Sequence, residues 1–419
     1  MNTSNADVVR VLLVSGWVDQ AFTFVRSFAH RPVRLSVADC WPNSPVGKSR
    51  YCDRFHLVPP LESETHVDEI LEICVREAID VVLPIQHDEV LALSQRKEDF
   101  VAQRIALPVP PASLMRHALD KYWVSQLADR NGIPGPRTVL LRDMVNDATV
   151  STDLEFPLVG KLRRGTGQTG QRKLANRDDL LKFAEEMDRD HGGDEVILQE
   201  YIPGHDWDAM YTVGLLYDHR HRLKTCVPLK KIRSRPYTGG TAVCTQAVHQ
   251  PAVAGLAIGL MESIGAWEGI ADVEVKLDPR DGAPKLIELN PRAWGSMYGA
   301  YAAGVDLPWL WIQLATHTEI PSVDPARNGI PVSFMARDLC LLADLTEDLF
   351  TSRRREAWTV LKTYVAPYIR RGHSRHSLPG TSDFVLRDLR PFLANLRRVK
   401  RDLIPGIRQL ARHKRRERQ

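Results

Sequence analysis

The chain has 419 residues, 43% hydrophobic and 26% charged, the composition expected of a soluble globular protein with enough length for two or three domains. Six cysteines (Cys40, Cys52, Cys74, Cys226, Cys244 and Cys340) are scattered with no Cys-x-x-Cys pair, which speaks against a zinc ribbon or a disulfide framework and for a reducing, cytoplasmic setting. The net charge of +4 is uneven: residues 397–419 carry ten Lys/Arg against two Asp/Glu, so the rest of the chain is acidic by four charges.

Residues 1–7 have neither a basic n-region nor a long apolar h-region, so no signal peptide is expected. No apolar run approaches the ~18 residues of a membrane span. Residues 8–15 form an apolar, β-branched run ending at Gly16, read as a buried strand. Residues 19–30 have helical spacing, with Phe22, Val25, Phe28 and Ala29 on one stripe. Residues 33–39 read as a strand, 67–78 as a helix with Ile70, Leu71, Ile73 and Cys74 inward, and 80–85 as another strand. This β-α-β…α-β order predicts a parallel, doubly wound domain over 1–108. Its first turn, Ser-Gly-Trp-Val-Asp-Gln, lacks the glycines that a dinucleotide pyrophosphate requires, so no cofactor is assigned to it.

A stiff Leu-Pro-Val-Pro-Pro connector at 107–111 leads into one predicted helix, capped by Ser113 and running to Asn131, with Asp120-Lys121 inside it. Residues 157–162 read as a strand delivering Lys161, followed by Arg-Arg-Gly165-Thr-Gly167-Gln-Thr-Gly170. A dinucleotide fingerprint must open a helix, and helix signals start only near Asn176. The better reading is strand, glycine loop, strand. Gly165, Gly167 and Gly170 let backbone N–H groups lie over phosphates, with Lys161 a point charge at the base; a plain surface turn is the alternative. Asn176 caps a helix to about 189. Residues 196–202 (Val-Ile-Leu-Gln-Glu-Tyr-Ile) form a strand ended by Pro203-Gly204. Residues 208–217 and 222–229 predict a long hairpin, followed by the cationic run Lys230-Lys231-Ile-Arg233-Ser-Arg235. Residues 251–264 and 307–316 read as apolar core helices.

The most informative stretch is 272–292. Residues 273–277 and 285–290 alternate apolar with polar around Asp-Pro-Arg-Asp-Gly-Ala-Pro, which predicts a hairpin. With the loop centred on Asp281, Glu274 lies opposite Glu288, and Asn290 shares their face. Opposed carboxylates destabilise a strand pair unless a cation sits between them. Two carboxylates and an amide oxygen are hard ligands suited to Mg²⁺, or Mn²⁺ in its place. Pro291 ends the ladder, and Arg292 emerges beside the metal with donors for a phosphate or carboxylate.

Glu274, Glu288, Asn290 and Arg292 resemble the metal-binding hairpin and following arginine of the ATP-grasp superfamily, and the resemblance extends over roughly 8–320. It implies an α/β chain with an ATP-grasp fold: a doubly wound N-terminal domain (1–108), an ATP-grasp domain with linker helix and two subdomains (109–325) and a helical, basic C-terminal extension (326–419). It also implies ATP with Mg²⁺ as cofactors. Lys121 and Lys161 would reach the α/β-phosphates. Gln199, Glu200, Tyr201 and Ile202 match the adenine hinge and Asp206 the ribose acid, although many relatives carry Glu there. Lys231 and Arg233 fall in the segment that relatives place against the γ-phosphate or acyl phosphate, and with Arg292 they are the catalytic candidates. The implied reaction is a carboxylate–amine ligation through an acyl phosphate. A kinase or carboxylase on the same fold, and a non-catalytic ATP-binding protein docked through its basic tail, are the competing readings. The expected partners are a small carboxylate and an amine, not nucleic acid, since no aromatic residues interleave with the basic tail. A peripheral membrane or protein contact through that tail, and a homodimer, stay open.

Overall fold

The computed structural model describes residues 8–146, 154–165, 170–204, 209–237, 239–316, 319–325, 331–349, 353–362, 380–381 and 387–395. Gly167, Asp206 and the basic tail at 397–419 lie outside the described residues. The N-terminal strands are β1 (Val9–Val14), β2 (Val33–Asp39), β3 (Arg54–Leu57) and β4 (Val81–Pro84). They pair parallel in the order β3-β2-β1-β4. β1 and β4 are apolar throughout their inner residues because helices cover both faces.

The predicted single helix from Ser113 to Asn131 is two helices, Ala112–Ala118 and Lys121–Arg130. The residue before the first is Pro111, and no side chain caps it. The break falls where Asp120 turns its carboxylate back to accept from the Tyr122 and Trp123 N–H groups, a stronger local signal than the continuing apolar spacing.

Beyond these helices come β5 (Thr138–Leu140), β6 (Leu158–Leu162), β7 (Arg172–Leu174) and β8 (Val196–Glu200). They form a small antiparallel sheet in the order β5-β8-β6-β7, with β6 and β7 flanking the glycine loop. Its core, Leu158, Leu174, Phe183, Val196 and Leu198 among others, is separate from the main one.

The larger sheet contains β9 (Met210–Tyr217), β10 (Leu223–Arg235), β11 (Thr241–Ala247), β12 (Gly269–Leu277) and β13 (Pro284–Asn290). β14 (Pro331–Ser333) and β15 (Gly380–Thr381) extend it, giving the order β13-β12-β9-β10-β11-β14-β15. Among its described residues the C-terminal extension contributes helices and also these two strands of the sheet. β10 continues past residue 229, where the predicted hairpin strand ends, into the cationic stretch, and Lys231 and Arg233 are buried at 3% and 7% exposure.

One continuous core joins the N-terminal domain to the large sheet. The connector is pinned there: Trp311 Nε1 donates to the Pro108 carbonyl at 2.8 Å, and Gly269, with φ +93°, lies where a Cβ would sit 2.6 Å from the same oxygen. The helix Met335–Asp348 ties the extension to both bodies. Arg337 donates to Asp19 at 2.6 Å and to the Ala242 carbonyl at 2.8 Å. Buried Asp388 accepts from Arg26, Ser49 and the Arg50 N–H.

Candidate active site

The hairpin register places Glu274 directly opposite Glu288 and Asp272 opposite Asn290, with a bulge between Glu274 and Val275. Period-two alternation then puts Asp272, Glu274, Glu288 and Asn290 on one face. That face lines a cleft of about 660 Å³ between the two sheets, with Lys161 and Lys231 also on its walls. Gln199, Glu200, Tyr201 and Ile202 border the same cleft, as do Arg292 and Trp294.

Each carboxylate of the opposed pair has an ammonium beside it. Lys121 Nζ is 3.1 Å from Glu288, and Lys231 Nζ is 3.9 Å from Glu274. Lys121 also donates to the Gly165 carbonyl at 2.7 Å, at the edge of the glycine loop, and Lys231 to the Gly240 carbonyl at 3.0 Å. Asp120 sets this geometry by starting the helix at Lys121 and gripping Arg163 with both carboxylate oxygens, at 2.8 and 2.7 Å. Lys161 is buried on the cleft wall: burial pulls its pKa below the ordinary lysine value, against the pull of Glu288. Arg292 is likewise shifted down by burial, against Asp272, Glu288 and Glu274. It donates to the Ala293 carbonyl at 2.8 Å and to Asn290 Oδ1 at 3.2 Å.

At the hinge end, Lys276 donates to the Ile202 and Gly204 carbonyls at 3.1 and 2.8 Å, and Lys173 Nζ stands 3.7 Å above the Tyr201 ring. Gln199 donates to Thr138 Oγ1 at 2.9 Å. The Glu200 side chain pairs with Arg280 at 2.8 Å. Gly165 and Gly170 bracket the glycine loop, and Gly170 takes φ +69°.

Arg233 does not join this group. Past the irregularity between Lys231 and Arg233, its guanidinium turns to Asp338 and makes three bonds of 2.7 to 3.0 Å. Of the two cations nominated from the run, Lys231 alone borders the cleft. Sequence reasoning missed Asp272, although it stands two residues before Glu274 and the same alternation exposes it. It is 2% exposed, and burial, with the Glu274 charge second, raises its pKa well above the usual carboxylate range. Asp120, Lys173 and Lys276 were also missed as site-shaping residues.

The donor set suits a hard cation. Among the described residues no three His, Cys, Asp or Glu side chains converge to hold a metal alone. An ion at Glu274 and Glu288 would therefore draw on Asn290, water and phosphate oxygens, as Mg²⁺ does in nucleotide sites.

A helix-flanked parallel domain, two antiparallel sheets facing across a cationic cleft and a paired-glutamate hairpin define a class of nucleotide-grasping proteins. Residues 12–107 match the family model "PylC-like, N-terminal domain" and residues 192–337 match "ATP-grasp in the biosynthetic pathway with Ter operon". The chain belongs to the ATP-grasp superfamily. It is 25% identical over 229 residues to a D-aspartate ligase of Enterococcus faecium, a match covering 51% of this chain and 53% of that protein. The chain thus spans about half the length of that curated relative. It shares its fold with an L-amino acid ligase from Bacillus licheniformis, at TM-score 0.55 and 17% identity over 73% of this chain and 74% of the other. It shares it too with the biotin carboxylase domain of Hydrogenobacter thermophilus 2-oxoglutarate carboxylase, solved with MgADP and bicarbonate. That match has TM-score 0.61 and 16% identity over 77% of this chain and 73% of the other. No helix among the described residues is long and apolar enough to cross a membrane.

Proposed function

We propose that this protein is an ATP-dependent carboxylate–amine ligase that binds Mg·ATP between its two sheets and forms an amide through an acyl phosphate. The observation that carries the reading is the convergence of opposed Glu274 and Glu288, Asn290, Arg292, Lys121, Lys161 and Lys231 on one cleft. Such groups handle polyphosphate, where positioning and charge neutralisation do most of the catalysis.

The nucleotide base lies against the 199–202 hinge, stacked near Tyr201. Lys161 and Lys121 neutralise the α/β-phosphates, Lys121 exchanging Glu288 for phosphate oxygen. Backbone N–H groups of the glycine loop cover the phosphates. Glu274, Glu288 and Asn290 hold Mg²⁺, which when bound neutralises and aligns the phosphate oxygens. Arg292 clamps the substrate carboxylate in line with the γ-phosphate, and Lys231 balances the charge of the transferring phosphoryl group. The carboxylate oxygen bonds to phosphorus as the bond to ADP breaks. An amine nitrogen then attacks the acyl carbon, inorganic phosphate leaves, and the nitrogen releases its proton. No protein nucleophile is required. The sequence similarity to a D-aspartate ligase supports this choice over a kinase or carboxylase.

The test is ADP release from Mg·ATP over a matrix of carboxylic acids and amines, with mass spectrometry of the products. Amine-dependent ADP release with an amide product is expected. ADP release with a phosphorylated or carboxylated product and no amine requirement would refute the ligase reading.

A further inference from the structure

The cleft is lined by two residues with buried polar atoms to which the proposed function gives no role. Asp272 Oδ1 and Trp294 Nε1 each lack a hydrogen-bond partner among the described residues, and both side chains are 2% exposed. Both line the cleft. Orphaned buried groups of this kind carry a desolvation cost that a ligand can relieve. One is an acceptor with negative character and the other a donor.

Their placement is built into the sheet. Asp272 faces Asn290 on one side and Gly214 of β9 on the other. Gly214 has no side chain because the Trp294 indole occupies that space: a Cβ there would lie 2.1 Å from Trp294 Cη2. The indole is thus seated over the strand residue next to Asp272. Asp272 Oδ2 accepts from Asn290 Nδ2 at 3.3 Å, and Asn290 Oδ1 accepts from Arg292 at 3.2 Å. This relay orients the carboxylate and keeps it one side chain away from the Arg292 guanidinium.

Arg292 and Asp272 therefore offer a guanidinium and a carboxyl acceptor held together by one asparagine. Their natural ligand is a molecule with a carboxylate and an ammonium on neighbouring atoms. We propose that Asp272, with Trp294 beside it, is the subsite for the α-ammonium of the acid substrate, so that the carboxylate activated at Arg292 is that of an α-amino acid. The inference rests on the ligase reading above and names the substrate class of that site. The ammonium donates to Asp272 Oδ1. Trp294 Nε1 meets a carboxylate oxygen or side-chain acceptor of the same molecule. A second divalent ion at Asp272 is the rival occupant, but Arg292 and Lys231 both bear positive charge toward this position.

The experiment uses the full chain and its Asp272→Asn variant, which keeps side-chain size and the contact to Asn290. First, binding of α-amino acids and of the same acids lacking the α-amino group is measured calorimetrically on the complex with Mg²⁺ and a non-hydrolysable ATP analogue. The wild type should bind at least one α-amino acid roughly tenfold to a hundredfold more tightly than its des-amino counterpart, the worth of one charge-assisted hydrogen bond. Asp272→Asn should bring that ratio close to one. A wild type with no such preference, or a variant that keeps it, overturns the proposal. So does a tenfold or greater loss of Mg·ADP affinity in Asp272→Asn, which would assign the carboxylate to the metal. Because binding is read without turnover, an amino acid that binds but yields no amide-linked product refutes the ligase reading and leaves this subsite standing.

Discussion

Glu288→Gln separates the stability of the empty protein from its hold on nucleotide. In the ligand-free protein the change removes the repulsion across the Glu274–Glu288 pair, about 0.2–1 kcal/mol for like charges facing across strands. It also removes the Lys121–Glu288 contact, whose partners are 14% and 23% exposed and which is worth about 1 kcal/mol or less. The two nearly cancel, so the unliganded melting temperature should stay within about 2 °C of the wild type. Binding responds differently. Losing a metal ligand should weaken Mg·ADP by at least about a hundredfold, the upper end for losing a group that merely supports a ligand. At a concentration 100 times the wild-type Kd, Mg·ADP stabilises the wild type by about 2.7 kcal/mol and such a variant by about 0.4 kcal/mol. Differential scanning fluorimetry should therefore show a shift of about 3 °C shrinking to about 0.5 °C, with ADP release lost in parallel. A Glu288→Gln protein that keeps the full Mg·ADP shift refutes the metal assignment of this hairpin.

Asp120→Ala removes the helix cap and the Arg163 grip together. Thermal denaturation should register a loss of about 2 kcal/mol, and titration with Mg·ADP should show weaker binding because Lys121 loses its mount. Gly214→Ala drives a methyl into Trp294; a cost of about 1–3 kcal/mol in urea unfolding is expected. Asp338→Ala removes three hydrogen bonds from buried Arg233, which should cost about 3 kcal/mol while leaving Mg·ADP affinity within threefold of wild type; a tenfold loss of affinity would restore Arg233 to the phosphate site. His87, pushed down to about 4 by burial, destabilises the fold as pH falls from 6.5 toward 4, because only the unfolded chain takes up that proton. Glu89, pushed up to about 7 by burial with Asp39 and Asp88 adding to it, works in the opposite sense, holding a native-state proton between pH 4.5 and 7. Melting curves against pH should therefore diverge: relative to the wild type, His87→Gln becomes more stable on acidification from pH 6.5 toward 4, and Glu89→Gln becomes less stable from pH 7 toward 4.5.

The hairpin was legible because two strong local signals agree there, period-two alternation and a loop dense in turn formers. Together they fixed which residues face one another before any contact was known. The glycine loop was legible for what it did not do, since no helix follows it. What escaped was set by distant partners or by competing local chemistry. Nothing near Arg233 announces Asp338, 105 residues on, so a residue that pairs with an acid on a later helix stood beside Lys231 as a candidate for the phosphate site. The helix break at Asp120 was hidden because apolar spacing continues across it, while one carboxylate accepting two N–H groups outweighs that spacing. Asp272 was passed over because its meaning depends on Gly214 and Trp294, which converge only once β9 lies against β12.

The small sheet β5–β8 keeps its apolar interior to itself, whereas the N-terminal domain and the large sheet are fused through one. Swinging that sheet as a jaw consequently uncovers little oil on either side. Polar ties hold it to its surroundings, among them Arg163 to Asp120, Lys121 to Gly165 and Arg280 to Glu200. One of these ties is the lysine assigned to phosphate, so a ligand that captures Lys121 loosens the hinge as it gives the jaw something to bite.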